Sequence, residues 1–177
     1  MWAAGLDVPV LESPIAPAFS SWTVLNERLL SCVASLTSED LDLSAGPGRW
    51  PIWAVVGHAA CQRVFWLCDF AGESGASSTP FTQAAWNCPG DDDLENVLSA
   101  AELGAALTST FDIVAGALSR WTLTSLDEVL SRPEWGPGWT HTRGAVIQRV
   151  HDHDLWHAAE LNEALTRHGR PAIDLWS

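Results

Sequence analysis

The sequence predicts an all-α chain folded as a four-helix bundle with long crossover loops. Three observations carry that expectation. Four stretches repeat apolar residues at three and four; no alternating series suits a sheet; two long Gly- and Pro-containing connections follow the second and third helices. At 177 residues the chain suits one domain with a real core.

Residues 1–17 contain Pro9, Pro14 and Pro17 and no clear period, so they read as an extended arm before a domain at 18–177. From Ala18 to Leu36 the stripe Phe19, Trp22, Leu25, Leu29, Cys32, Leu36 predicts an amphipathic helix, ended by Thr37-Ser38-Glu39-Asp40. Trp50-Pro51 opens a second helix, with proline suited to a first turn, and Glu73-Ser74-Gly75 ends it. That helix is apolar over most of its circumference, so it is expected to be the most buried. Residues 74–93 form a connection with an apolar centre, Phe81 to Trp86, and an acidic end, Asp91-Asp92-Asp93. The aspartates read as the cap of a third helix, from Leu94 to Trp121, rather than as a cation site. Its stripe is Leu103, Leu107, Phe111, Val114, Leu118 and Trp121. Residues 122–141 read as a crossing loop with a short helical turn near Ser125–Leu130. Thr140 or Thr142 then caps a last helix that runs to His168, where Gly169 and Pro171 stop it.

Composition excludes several function classes. A net charge of −13 repels phosphate backbones and anionic membranes, so neither nucleic acid nor membrane is expected as a partner. The 4 cysteines (Cys32, Cys61, Cys68, Cys88) show no metal-type spacing, and are expected to be reduced structural thiols. No charged segment precedes an apolar one as in a secretory signal, and no apolar run approaches the ~18 residues that span a bilayer. The expectation is a cytoplasmic protein.

Chemistry concentrates near the C-terminus. Arg149 to Leu161 holds three of the 6 histidines, and His153 and His157 are four apart. On a helix that spacing puts both imidazoles on one face, about 5–6 Å apart at Cβ. His151 is roughly 200° of rotation from His153 and drops out. Val146, Val150, Ala164 and the histidine pair share one side, so the pair faces the core. The other buried helix offers His58, read alone as either a hydrogen-bonded core residue or a third ligand. Three neutral imidazoles suit zinc first, and also nickel or iron. Three protein ligands leave a coordination position open, as catalytic zinc sites do. Glu160, a turn beyond His157, is the candidate to orient a ligating imidazole or hold a bound water. His153-Asp154-Leu155-Trp156-His157 is also close to the H-E-x-x-H of zinc proteases. Asp is one methylene shorter than Glu, residue 163 is Glu163, and no strands are expected to hold a peptide, so that reading is set aside.

Arg49-Trp50-Pro51-Ile52 opening a helix, His58 two turns later, and His153 to Leu161 together resemble the DinB-like superfamily, which includes mycothiol-dependent maleylpyruvate isomerases. The resemblance covers residues 18–170. It implies an up-down-down-up bundle and a divalent metal held by His58, His153 and His157. It also implies a metal-dependent transferase, or a hydrolase, in which the metal activates a low-molecular-weight thiol such as bacillithiol, mycothiol or glutathione, or a water, against a small-molecule substrate. The alternative is a non-catalytic metal or small-ligand binding bundle. Many members have His-Arg-Gly-Gln where this chain has His157-Ala158-Ala159-Glu160, which leaves the metal and ligand open. Arg49, Arg63, Arg143 and Arg149 are the candidates to hold a cofactor's carboxylates. Cys61, one turn from His58, is read as a core thiol rather than a nucleophile. Flat apolar helix faces often pair, so a homodimer is compatible with the sequence.

Overall fold

A computed structural model describes residues 13–82, 87–91 and 93–175. The chain is mostly helical, with a small two-stranded sheet. The first 12 residues of the expected arm, and residues 83–86 of the expected apolar centre, lie outside the described residues. The arm's last residues are part of the fold. Ile15 is buried, and its N–H donates to the Trp121 carbonyl at 2.9 Å.

Helix α1 (Ser20–Ser35) buries Trp22, Leu25, Leu29 and Val33. Val33, not Cys32, completes its stripe, and Cys32 is half-buried. Thr37 and Asp40 form a reciprocal cap that both ends the approach from α1 and starts the single-turn α2 (Ser38–Leu41). Pro51 immediately precedes α3 (Ile52–Val64), in which nearly every residue is buried, as its all-round apolar pattern requires. The helix continues as a wider π turn over Phe65–Phe70.

Two expectations in the next connection are corrected. The third helix, α4 (Ala100–Arg120), starts at Ala100 rather than Leu94, because Ser99 and Glu102 form the capping box. The aspartate run does not cap it: Asp93 instead accepts from the Glu95 and Asn96 N–H groups in a turn of its own. The cysteines are the other correction. Cys61 and Cys88 form a disulfide, and Cys32 and Cys68 are free. Burial pushes the Cys68 thiol up to about 11, so it stays protonated.

After α4, the expected loop contains a hairpin. Strands β1 (Val129–Ser131) and β2 (Thr140–Thr142) pair antiparallel with Leu130 opposite His141. Three residues per strand are too few to leave an alternating signal in sequence. Thr142 caps the last helix, α5 (Arg143–Arg167), by accepting from the Ala145 N–H at 3.1 Å. Gly169, at φ 70°, ends it as expected.

Helix α3 packs against both α4 and α5, and α1 packs against α4. By length and composition alone α4 could cross a membrane, against the expectation of no such run. Its apolar residues are spent on the core between α1 and α3.

One polar cluster lies inside this packing. Asp154 Oδ2 accepts from Trp22 Nε1 at 2.7 Å and from Arg63 Nε at 2.9 Å, with Arg63 Nη2 at 2.8 Å. Arg63 Nη1 donates to the Leu107 carbonyl and Thr110 Oγ1. The side chains of Arg63 and Asp154 are 0% and 1% exposed. A buried charge is tolerated only when paired and hydrogen-bonded, and here one carboxylate joins α1, α3 and α5.

Candidate metal centre

His58 projects from α3 towards α5, where His153 and His157 stand one turn apart. The three imidazoles form a tight group: ring centroids are 5.1 Å apart for His58 with either partner and 4.4 Å for His153 with His157. One ligand nitrogen from each ring lies within 4.8 Å of the others.

Two rings are oriented from behind. His58 Nδ1–H donates to the Pro89 carbonyl at 2.9 Å, which leaves the Nε2 lone pair facing the cluster. His157 Nδ1–H donates to Glu160 Oε2 at 3.1 Å, with the same result. Partners of this kind fix the tautomer of a ligating imidazole and raise its basicity. The Cys61–Cys88 disulfide ties the segment that carries Pro89 to α3, one turn beyond His58.

The Nε2 atoms of His153 and His157 are 3.2 Å apart. Two tetrahedral ligand atoms, each at about 2.0–2.1 Å from a zinc ion, are separated by about 3.3 Å. Among the described residues His153 Nδ1 is buried with no hydrogen-bond partner, and Nε2 is where that ring meets His157. Burial, then the neighbouring His157 and His58, push the His153 pKa down to about 3. Burial and His58 also lower that of His157, with Glu160 pulling the other way. Both rings are therefore neutral at physiological pH, the form that binds metal. On distance, and for His58 and His157 on tautomer, these residues fit a divalent ion.

The structure sorts the other candidates. His151 points away, edge-on to Trp22 and Phe19. Asp154, the acid of the near-protease motif, faces the buried Arg63 and not the histidines. Glu163 pairs with Arg167. Of the four arginines considered for cofactor carboxylates, three are committed elsewhere. Arg63 is consumed by Asp154, Arg143 by Glu73 and Glu128, and Arg149 lies over the Trp66 ring. Arg49 stays at the site, with Nη2 3.3 Å from Glu160 Oε1. Cys61 is tied up in its disulfide and is no nucleophile.

A cavity of about 300 Å³ opens on the cluster, lined by Gly48, Arg49, Trp50, His153, Trp156, His157 and Glu160. The sequence reading missed its Trp walls, the Pro89 carbonyl, and Asp91, whose Oδ2 comes to 3.9 Å from His58 Nε2. The position of Trp156, between Leu155 and His157, held a signal: a tryptophan beside a proposed ligand and off the core stripe.

A family model for the DinB superfamily matches residues 22–161. The chain belongs to the DinB superfamily. The matched span holds all three histidines and Glu160. The fold agrees: a crystal structure of a DinB-like protein from Bacillus cereus ATCC 10987 is similar with a TM-score of 0.67 at 17% identity, covering 94% of this chain and 100% of that one. No curated protein matches the chain.

Proposed function

We propose that this DinB-superfamily chain is a divalent-metal-dependent enzyme, a transferase or hydrolase acting on a small molecule. His58, His153 and His157 hold the ion, zinc before nickel or iron. The observation that carries the reading is the pair of neutral imidazole Nε2 atoms at 3.2 Å, with the His157 ring fixed through Nδ1 by Glu160. A divalent ion at that position lowers the pKa of a bound thiol or water towards neutrality. The chain's own residues do the rest. Pro89 and Glu160 aim His58 and His157. Trp50 and Trp156 wall the cavity on which His153 and His157 open. Glu160, only 10% exposed at its side chain, stays beside that opening as a proton acceptor.

Four further points belong to this proposal. The long helices are read as an up-down-down-up four-helix bundle. The domain is taken as 18–177, with 1–17 as an arm whose last residues pack onto it. A cytoplasmic location is kept as part of the proposal, and the Cys61–Cys88 disulfide, a bond rare in reducing compartments, is the observation that counts against it. Pairing into a homodimer is open to a test of mass in solution.

A second reading, a non-catalytic metal or small-ligand binding protein, is favoured by one observation. Glu160 stands where many members have glutamine, and its carboxylate is already engaged by His157 and Arg49. Metal-loaded protein screened with bacillithiol, mycothiol or glutathione and model electrophiles separates the two. Turnover with any pair supports the enzyme. Bound metal without turnover across the panel supports the binding protein.

A further inference from the structure

We propose that the cavity binds a small flat carboxylic acid, with Arg49 gripping the carboxylate and the indoles of Trp50 and Trp156 flanking the flat body. The inference rests on reading this cavity as the reactive site, and it names the ligand class.

Arg49 lines the cavity with its side chain half exposed. Its one partner among the described residues is Glu160, at Nη2, so the remaining donors of the fork are uncommitted. A planar guanidinium matches a carboxylate in two parallel hydrogen bonds, which a point charge does not. Glu160 sets the direction of that fork, since the same carboxylate is held by His157 on its other oxygen. The charges around the cavity favour an anion once a divalent ion is present. Among the lining residues only Arg49 and Glu160 are charged, and Asp91 touches His58 from the edge.

The walls select a flat body. Trp50 is seated against the backbone at Gly90, where φ is +89° and an added Cβ would stand 2.8 Å from the indole. That wall cannot retreat. Trp156 is 68% exposed, a large aromatic surface left in solvent at the cavity mouth. An indole at a cavity mouth offers a ligand a large, rigid aromatic face. Both indoles lie near-parallel to the His157 ring, at 17° and 22°. A cavity of about 300 Å³ accepts one or two fused rings and a short acid arm.

The test is calorimetric binding of indole-3-acetate and its neutral isostere indole-3-acetamide. It uses zinc-loaded and zinc-stripped wild type, Arg49→Gln and Trp156→Ala, with zinc content measured in every sample. The acid is expected to bind at least tenfold more tightly than the amide. Arg49→Gln is expected to remove that difference, and Trp156→Ala to weaken both ligands by a similar factor. Equal affinity for acid and amide in wild type overturns the anchor, as does a preference that survives in Arg49→Gln. If zinc is bound stoichiometrically in those samples, the metal reading stands while the anchor falls. If no zinc binds, the metal reading falls and the acid–amide comparison is still read on the zinc-free protein. Mercaptoacetate against 2-mercaptoethanol reports whether the carboxylate of a small thiol uses the same anchor; an Arg49-dependent preference confined to that pair overturns the flat-acid assignment.

Discussion

His153 and Asp154 are neighbours in sequence, yet they belong to opposite kinds of polar cluster. Asp154 turns into the core and joins a network of paired charges in which Arg63 meets one carboxylate, a carbonyl and a hydroxyl, while Asp154 Oδ1 has no hydrogen-bond partner among the described residues. His153 turns towards a cavity, and its cluster keeps nitrogen lone pairs that no protein donor satisfies except another histidine. Both clusters bring α3 and α5 together. The difference teaches which is for holding the helices and which is for chemistry. Paired charges buried away from any cavity hold helices together; a cluster that opens on a cavity, with two of its three rings aimed from behind, is prepared for a ligand.

Asp154→Ala should produce the largest loss of stability, because it leaves the Arg63 charge buried without a partner. The expected cost is about 3–5 kcal/mol in urea unfolding. A cost below about 1 kcal/mol would erase the contrast. Replacing Cys61 and Cys88 by alanine comes next, at about 3.5 kcal/mol for a loop of this length. It should also weaken metal binding, because the disulfide holds the segment whose Pro89 carbonyl aims His58. Unchanged metal affinity in that variant would show that the segment needs no tether.

Glu160→Ala tests the open cluster from behind. It should lower metal affinity by about 10–100-fold and leave the urea midpoint near that of wild type, since His157 keeps its packing but loses its fixed tautomer. A large stability loss with intact metal binding would reverse the roles assigned to the two clusters. The contrast also shows in pH dependence. His153 and His157 titrate below the ordinary histidine pKa in the fold and near 6.5 when unfolded, so the unfolded chain binds more protons in between. Stability of the metal-free protein is therefore full above about pH 6.5 and falls as pH drops towards the His153 value of about 3. The slope is about 1.4 kcal/mol per pH unit for each proton. His153→Ala should flatten that slope, which unfolding midpoints between pH 4 and 7 would read.

The same contrast explains what the sequence made legible. His153 and His157 follow from helical spacing alone, and rotation alone removes His151. The burial of α3 follows from its all-round apolar pattern. The turn geometry of α5 also separates Asp154 from the histidines, which accounts for the failure of the near-protease motif. What did not show was set by chain crossings. Cys88 and Pro89 reach α3 through a connection with no periodic pattern, so neither the disulfide nor the carbonyl behind His58 left a spacing to read. Strands of three residues are too short to alternate. The start of α4 was legible, because Ser99 and Glu102 carry the capping pattern, but the more conspicuous aspartate run drew the expectation six residues upstream.

The central claim is that His58, His153 and His157 form one metal site. It is tested most directly by metal content and cobalt absorption of wild type beside His153→Ala, with the fold of each checked by circular dichroism. The account predicts one divalent ion per wild-type chain, visible bands of low-symmetry cobalt, and loss of both in a His153→Ala protein that remains folded. A folded wild type that takes up no ion, or a His153→Ala protein that keeps it with the same spectrum, would contradict the account.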